Sequence, residues 1–312
     1  MMHVTLRQLH IFETVAKHLN YSRASQELHL TQPAVSMQVK QLEGKVGFRL
    51  FEQVGKKIHL TEAGQELSRH GRAVLQQIQL AEEALADLKG LGRGKLNIAV
   101  VSTAKYFVPK MLSRFLRRHP GAELKLSVNN REAVLGELAD YETDLAIMGR
   151  VPEGIEAVAE RFAKNLYYFV ASPRHPFARA RRIPLARLAA ETFIVRERGS
   201  GTRITLERLF ADKQLTLNAA FEMSSNETIK QAVIAELGVS FLSRHTMELD
   251  LQTKQLVTLD VAGTPVTRDW YVVHRKDKRL SPMAAAFREF LLEEAKDILD
   301  REHRSRSMQR ST

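Results

Sequence analysis

Gln32, Ser36, Met37, Lys40 and Gln41 recur at the spacing of a single helix face. Gln and Ser carry donors and acceptors suited to base edges, and Lys carries a charge suited to phosphate. A helix N-terminus beginning here, beside Pro33, would itself favour a phosphate. Lys56 and Lys57 follow at the tip of a predicted hairpin about Gly55, where two charges can reach a DNA backbone or minor groove. The bland alternative is a solvated helix face beside an exposed turn.

A second group of residues suits a small anion. Ser102-Thr103, Asn129-Asn130-Arg131 and Arg150 each follow a predicted strand. Ser200-Gly201-Thr202-Arg203 opens a predicted helix, where glycine lets backbone amides approach an anion and Arg203 adds charge. Each loop taken singly reads equally as a plain helix cap. Their shared placement at strand ends is the better argument.

Catalytic patterns are absent. There is no Walker sequence, no GxGxxG and no HExxH, and the 11 histidines do not fall at metal-ligand spacing. Ser200 lies in GSGT rather than GxSxG. His175 and His245 sit beside basic residues and read as surface or loop histidines. Asp140 and Asp144 do not form an evident acid–base pair. The chain has no cysteine, which removes disulfides, thiolate metal sites and thiol redox sensing. The expectation is no enzyme, no metal and no covalent cofactor.

These residues need elements to position them. Leu6, Leu9, Phe12, Ala16 and Leu19 mark one face of a first helix. Ser22 reads as the cap of a short second helix through Leu28. Pro33 suits the first position of a third, whose buried face is Ala34, Val35, Val39, Leu42 and Val46, with Gly47 beyond its end. Helix, short turn and helix make a helix-turn-helix, and Phe51 to Leu60 a wing. Residues 61–91 read as one long helix capped by Thr61. Its Leu67, Val74, Ile78, Ala81, Leu85 and Leu88 form a heptad-like seam suited to a second copy of itself. A connector packed on its own chain is the alternative. Gly90, Gly92 and Gly94 mark a hinge.

From 92 to 299, strands and helices alternate, which predicts an α/β domain of two lobes with crossovers near Tyr167–Ala171 and Val266–Val272. A ligand would sit between the lobes, at strand C-termini and helix N-termini. Residues 300–312 read as a basic, disordered tail.

The net charge is +11, from 47 Lys and Arg against 36 Asp and Glu. Residues 1–60 hold eight basic against four acidic side chains, and the tail from 301 holds four Arg against one Glu. A basic head on a nearly balanced body points to nucleic acid for the head and a small anion for the cleft. No signal-peptide pattern or long apolar run appears, so the expectation is a cytoplasmic protein with no membrane partner.

Leu6-Arg7-Gln8-Leu9-His10-Ile11-Phe12, Leu30-Thr31-Gln32-Pro33-Ala34-Val35-Ser36 and Leu60-Thr61-Glu62-Ala63-Gly64 resemble the LysR-type transcriptional regulators. The resemblance covers the chain to about residue 299. It implies a winged helix-turn-helix, a dimerising linker helix and an effector domain of periplasmic-binding-protein type. It also implies homodimers or homotetramers on double-stranded promoter DNA, with Gln32, Pro33 and Ser36 in the major groove and Lys56 at the wing. Met37 departs from the arginine frequent at its position, and can instead touch a thymine methyl. The effector half, including Val195-Arg196-Glu197, Gly199-Ser200-Gly201-Thr202-Arg203 and Leu242-Ser243-Arg244-His245-Thr246, is similar to regulators of CO2-fixation (Calvin-cycle, RuBisCO) operons. That resemblance implies an activator with a small anionic effector: a sugar phosphate, a phosphorylated glycolytic acid or NADPH. Two rivals stand beside it, a regulator answering to another metabolite and a solute-binding receptor without DNA function.

Overall fold

Short local signals build the first of two units, residues 1–90 and 91–312. The computed structural model describes residues 3–55, 57–88 and 94–308, with backbone alone at 83, 84, 86–88 and 300–308. Lys56, Gly90 and Gly92 lie outside the described residues. In the first unit, helix α1 (Leu6–His18) opens on Thr5 and Gln8, which satisfy each other's backbone N–H groups. It ends at Leu19, whose φ of 45° is left-handed. Leu6 and Leu19 are exposed, so the buried face is narrower than predicted: Leu9, Ile11, Phe12, Val15 and Ala16.

Helix α2 (Tyr21–Glu27) is capped by Asn20, not Ser22: the Asn20 side chain accepts from the Arg23 N–H. Helix α3 (Gln32–Val46) is capped by Thr31, has Pro33 in its first turn, and stops at Gly47 with φ 78°. Val35, Val39 and Leu42 bury against α1, while Ala34 and Val46 are only half-buried. Strands β1 (Phe51–Val54) and β2 (Lys57–Leu60) pair antiparallel as the wing. Helix α4 (Glu62–Leu88) follows, with Thr61 Oγ1 accepting from the Gly64 N–H at 3.0 Å. Its first turns are fastened to α1 by Ser68 and Arg72, both 3.0 Å from Glu13 Oε2.

In the second unit, lobe 1 holds parallel strands β3 (Lys95–Val101), β4 (Glu123–Asn129) and β5 (Leu145–Met148). Helices α5 (Val108–Arg118) and α6 (Arg131–Ala139) cover opposite faces. Strand β6 (Ala157–Ala171) runs from this lobe into the next. Lobe 2 holds helix α7 (Leu185–Leu188), strand β7 (Phe193–Arg196), helix α8 (Gly201–Ala211), strand β8 (Ala219–Met223), helix α9 (Asn226–Ile234), strand β9 (Val239–Ser243), helix α10 (Glu248–Gln252) and strand β10 (Val257–Thr258). Strand β11 (Val266–Arg275) returns to lobe 1, and α11 (Pro282–Met308) closes the chain against it.

The sheet order is β4-β3-β5-β11-β6-β9-β7-β8, with β10 on β6. The predicted crossover positions therefore hold, but both strands are longer than predicted. The sequence region 157–166 carries two thirds of β6, and its mixed polarity hid it. Two further differences are local. The predicted helix from Lys105 is a short 3-10 turn, Ala104–Tyr106, followed by α5 at Val108. The predicted disordered tail is helical backbone as far as Met308, as a continuation of α11. No described helix is long and apolar enough to cross a membrane.

Gly64 must be glycine, because a Cβ there would lie 2.1 Å from the Leu50 carbonyl oxygen. Gly44, in the last turn of α3, has nothing within 4 Å of its would-be Cβ. Urea unfolding should show Gly64→Ala losing about 1–3 kcal/mol or more, while Gly44→Ala is neutral or gains up to about 1 kcal/mol. Equal effects at both positions would contradict this packing.

Candidate functional sites

The outward face of α3 carries Gln32, Pro33, Ser36, Met37, Lys40 and Gln41, all exposed. Burial of Val35, Val39 and Leu42 on the opposite side dictates this, because α-helical period places the two sets back to back. Met37 is a large apolar side chain held in water. Lys57 is exposed on the wing, beside Lys56, which lies outside the described residues. So the described α3 residues share one exposed helix face, and Lys57 is exposed on the wing.

The linker seam is partly as predicted. Leu67 packs instead on the helix-turn-helix core. Val74 (46% exposed), Ile78 (41%) and Leu85 (59%) face solvent along α4, with Ala81 among them. The Leu88 side chain lies outside the described residues.

The cleft between the lobes has a volume of about 580 Å³. Strand ends and helix starts converge on it, as two sheets sharing crossovers require. Ser102, Thr103, Asn130, Arg131 and Arg150 line it from lobe 1; Ser200, Gly201 and Thr202 line it from lobe 2. Asn130 caps α6 through the Ala133 N–H at 2.9 Å. Ser200 makes no side-chain cap on α8, which leaves that helix start open to an anion.

Two predicted residues fall outside. Asn129 turns to Ser127 and Glu137, its Nδ2 donating to both. Arg203 pairs with Glu207 and Glu222 and donates to the Arg196 carbonyl. Both side chains are committed to neighbours rather than to the cleft. His245 is buried rather than on the surface, its ring 5.0 Å from that of Phe107. His175 is half-buried and accepts from the Phe177 N–H.

The cleft also holds residues that the strand-end argument missed. Arg196, at the end of β7, is 3% exposed. Its guanidinium donates to Glu197 at 2.7 and 2.9 Å, to Asn226 Oδ1 at 2.7 Å and to Ser102 Oγ at 3.0 Å. Only such a set of acceptors makes a buried guanidinium tolerable. Tyr167 contributes a buried hydroxyl bonded to Asn165 and Thr202, and burial raises its pKa. Arg208 and Arg268 are exposed on the cleft wall, with Thr267 and Asp269 from β11.

Charge is unequally distributed around this space. Five arginines line it, against Glu153 and Asp269. Arg150 is paired with Glu153. Arg131 donates to the Val151 carbonyl at 3.2 Å. Burial and the nearby Arg150 charge lower the Arg131 pKa from the usual guanidinium value. Two guanidiniums thus stand near each other beside the start of α6, an arrangement that favours an anion. Among the described residues, no group of three His, Asp or Glu is placed to hold a metal.

Residues 6–65 match the family described as "Bacterial regulatory helix-turn-helix protein, lysR family", and residues 89–296 the "LysR substrate binding domain". The chain is a LysR-type transcriptional regulator. It is 52% identical to the RuBisCO operon transcriptional regulator of Allochromatium vinosum, over 94% of this chain and 97% of that one. The effector domain resembles the CcmR regulatory domain of Synechocystis PCC6803, solved in complex with 2-PG: TM-score 0.62, 37% identity, 64% of this chain and 96% of that one. A full-length OxyR variant from Pseudomonas aeruginosa shares the fold across 94% of this chain and 95% of its own, with TM-score 0.73 and 22% identity.

For this regulator, Lys40→Ala should weaken binding to every duplex alike and reduce the salt slope by about 1. Gln32→Ala should instead cost about 1–3 kcal/mol on preferred sites only. Fluorescence anisotropy on specific and random duplexes at several salt concentrations distinguishes the two. A salt slope unchanged in Lys40→Ala would take that residue off the phosphate backbone.

Proposed function

We propose that this regulator activates CO2-fixation genes in response to a small phosphorylated metabolite bound between its lobes. The observation that carries the proposal is the convergence of Arg131, Arg150 and Arg196 with the starts of α6 and α8 on one cleft. Such a site selects an anion of metabolite size. The identity to the Allochromatium RuBisCO operon regulator supports the choice of operon. The CcmR complex with 2-PG supports a small-molecule occupant of this cleft.

The mechanism has three parts. Two copies pair through the exposed seam of α4 and set two α3 helices on a promoter dyad. Basic side chains give the complex a salt-sensitive affinity. The effector then contacts both lobes, and its preference for the closed arrangement shifts the oligomer, dimer or tetramer, between two states on DNA. A duplex partner supports a cytoplasmic location.

Calorimetry with 3-phosphoglycerate, a pentose bisphosphate, 2-PG and NADPH tests the cleft. At least one should bind the wild type, and Arg131→Gln should weaken it about tenfold or more through loss of a charged hydrogen bond. If none binds, the effector class is wrong. Footprinting should show preference for a CO2-fixation promoter over random duplex at physiological salt. Ile78→Glu should convert the protein to monomers by light scattering and remove that preference. A variant that stays oligomeric would move the dimer contact off α4.

A further inference from the structure

Outside the cleft, the lobes meet a second time. The turn Ala104–Tyr106 of lobe 1 lies against the first turn of α9 in lobe 2. The Tyr106 hydroxyl donates to the Glu227 carboxylate. Glu227 in turn lies 3.0 Å from Lys230 Nζ, which donates to Asp250 Oδ2 at 2.8 Å. That ammonium also sits 5.6 Å from the centre of the Tyr106 ring. None of these side chains lines the cleft.

We propose that Tyr106, Glu227 and Lys230 form a latch that holds the two lobes closed, and so act as positioning residues for an effector they never touch. The proposal rests on the reading that the cleft takes an effector. Three observations carry it. First, the contact joins lobes whose covalent links are the crossover strands, so it must break when they part. Second, Lys230 is buried and held by Asp250 of its own lobe, so it fixes the Glu227 carboxylate in place before Tyr106 arrives. Burial alone would raise the Glu227 pKa, but the bonds from Tyr106 and Lys230 leave it below the ordinary glutamate value. The acceptor is therefore charged at neutral pH, which makes the hydroxyl bond a strong one.

Third, the same turn of α9 also reaches the cleft wall. Asn226 is bonded to Arg196, and Arg196 to Ser102 of lobe 1. One helical turn thus carries both an in-cleft bridge and an out-of-cleft bridge between lobes. A ligand that needs the closed form binds in proportion to how much of it is already populated. The latch raises that population without contacting the ligand.

The chain's single tryptophan reports on this junction without any ligand. Trp270 is fully buried on β11, its ring 5.0 Å from Phe107 of lobe 1 and 6.1 Å from His245 of lobe 2. In full-length protein, Tyr106→Phe keeps the ring and removes only the bond to Glu227. Acrylamide should then quench Trp270 about twofold more readily in the ligand-free protein, with the thermal midpoint little changed. Affinity for 3-phosphoglycerate should fall about tenfold. Glu227→Gln, on an exposed side chain, should reproduce both effects, and the double variant should be no worse than either single one. Unchanged quenching in both single variants, or fully additive losses of affinity, would overturn the latch. Raised quenching in a protein whose wild type binds no phosphorylated acid would keep the latch and reject the effector reading.

Discussion

The pairing of β6 with β11 is the constraint on which the effector domain depends. It runs antiparallel from Val266 opposite Tyr167 to Arg275 opposite Ala157, with a shift of register between Trp270 and Tyr271. One half of the ribbon completes the sheet of lobe 1 through β5, and the other completes that of lobe 2 through β9. Each lobe borrows its inner strands from the shared ribbon, so neither sheet is complete alone. The parallel strands of both lobes consequently end toward the same gap. The polar side chains that follow those strands meet there because the ribbon leaves no other arrangement for them.

Burial of Arg196 is the second condition on that gap. A guanidinium cannot shed its charge, so it can be buried only among fixed acceptors. Glu197 supplies two, Asn226 a third and Ser102 a fourth. Two of the three partners lie on different elements from Arg196, and one on the other lobe. The residue therefore ties β7, α9 and the loop after β3 to one another. Arg131 and Arg150 are differently placed, near each other at the lobe 1 wall, and are more open to an incoming anion.

Much of this was legible from the chain alone, and the failures have physical reasons. The helix-turn-helix was readable because caps, Pro33 and apolar spacing are local signals within about twenty residues. The cap of α2 was misplaced by two positions because Asn20 and Ser22 are both good caps, and only the backbone at Asn20 decides between them. Ser102, Asn130 and Gly201 were found by their place after strands or before helices. Arg203 was misassigned although the sequence held a warning. Glu207 stands four residues on, the spacing of a helical ion pair, and it takes the side chain away from the cleft. Asn129 is lost in the same way to Glu137. Tyr167, Thr267, Arg268 and Asp269 were invisible because they reach the cleft through the long-range pairing of β6 with β11, which no local pattern encodes. Arg196 could have been found by extending the strand-end rule to β7.

The close seating of α4 has a mechanical consequence. Gly64 lies against the Leu50 carbonyl, and a Cβ at Gly71 would come within 2.8 Å of Leu9. The first turns of α4 are thus seated closely on the helix-turn-helix, against backbone at Gly64 and against the Leu9 side chain at Gly71. At about 1.5 Å per residue, the 27-residue helix is about 40 Å long. A tilt of about five degrees at its far end becomes about 3.5 Å of travel where it meets the reading head. Small angular changes in this lever are therefore comparable with the rise of one base pair.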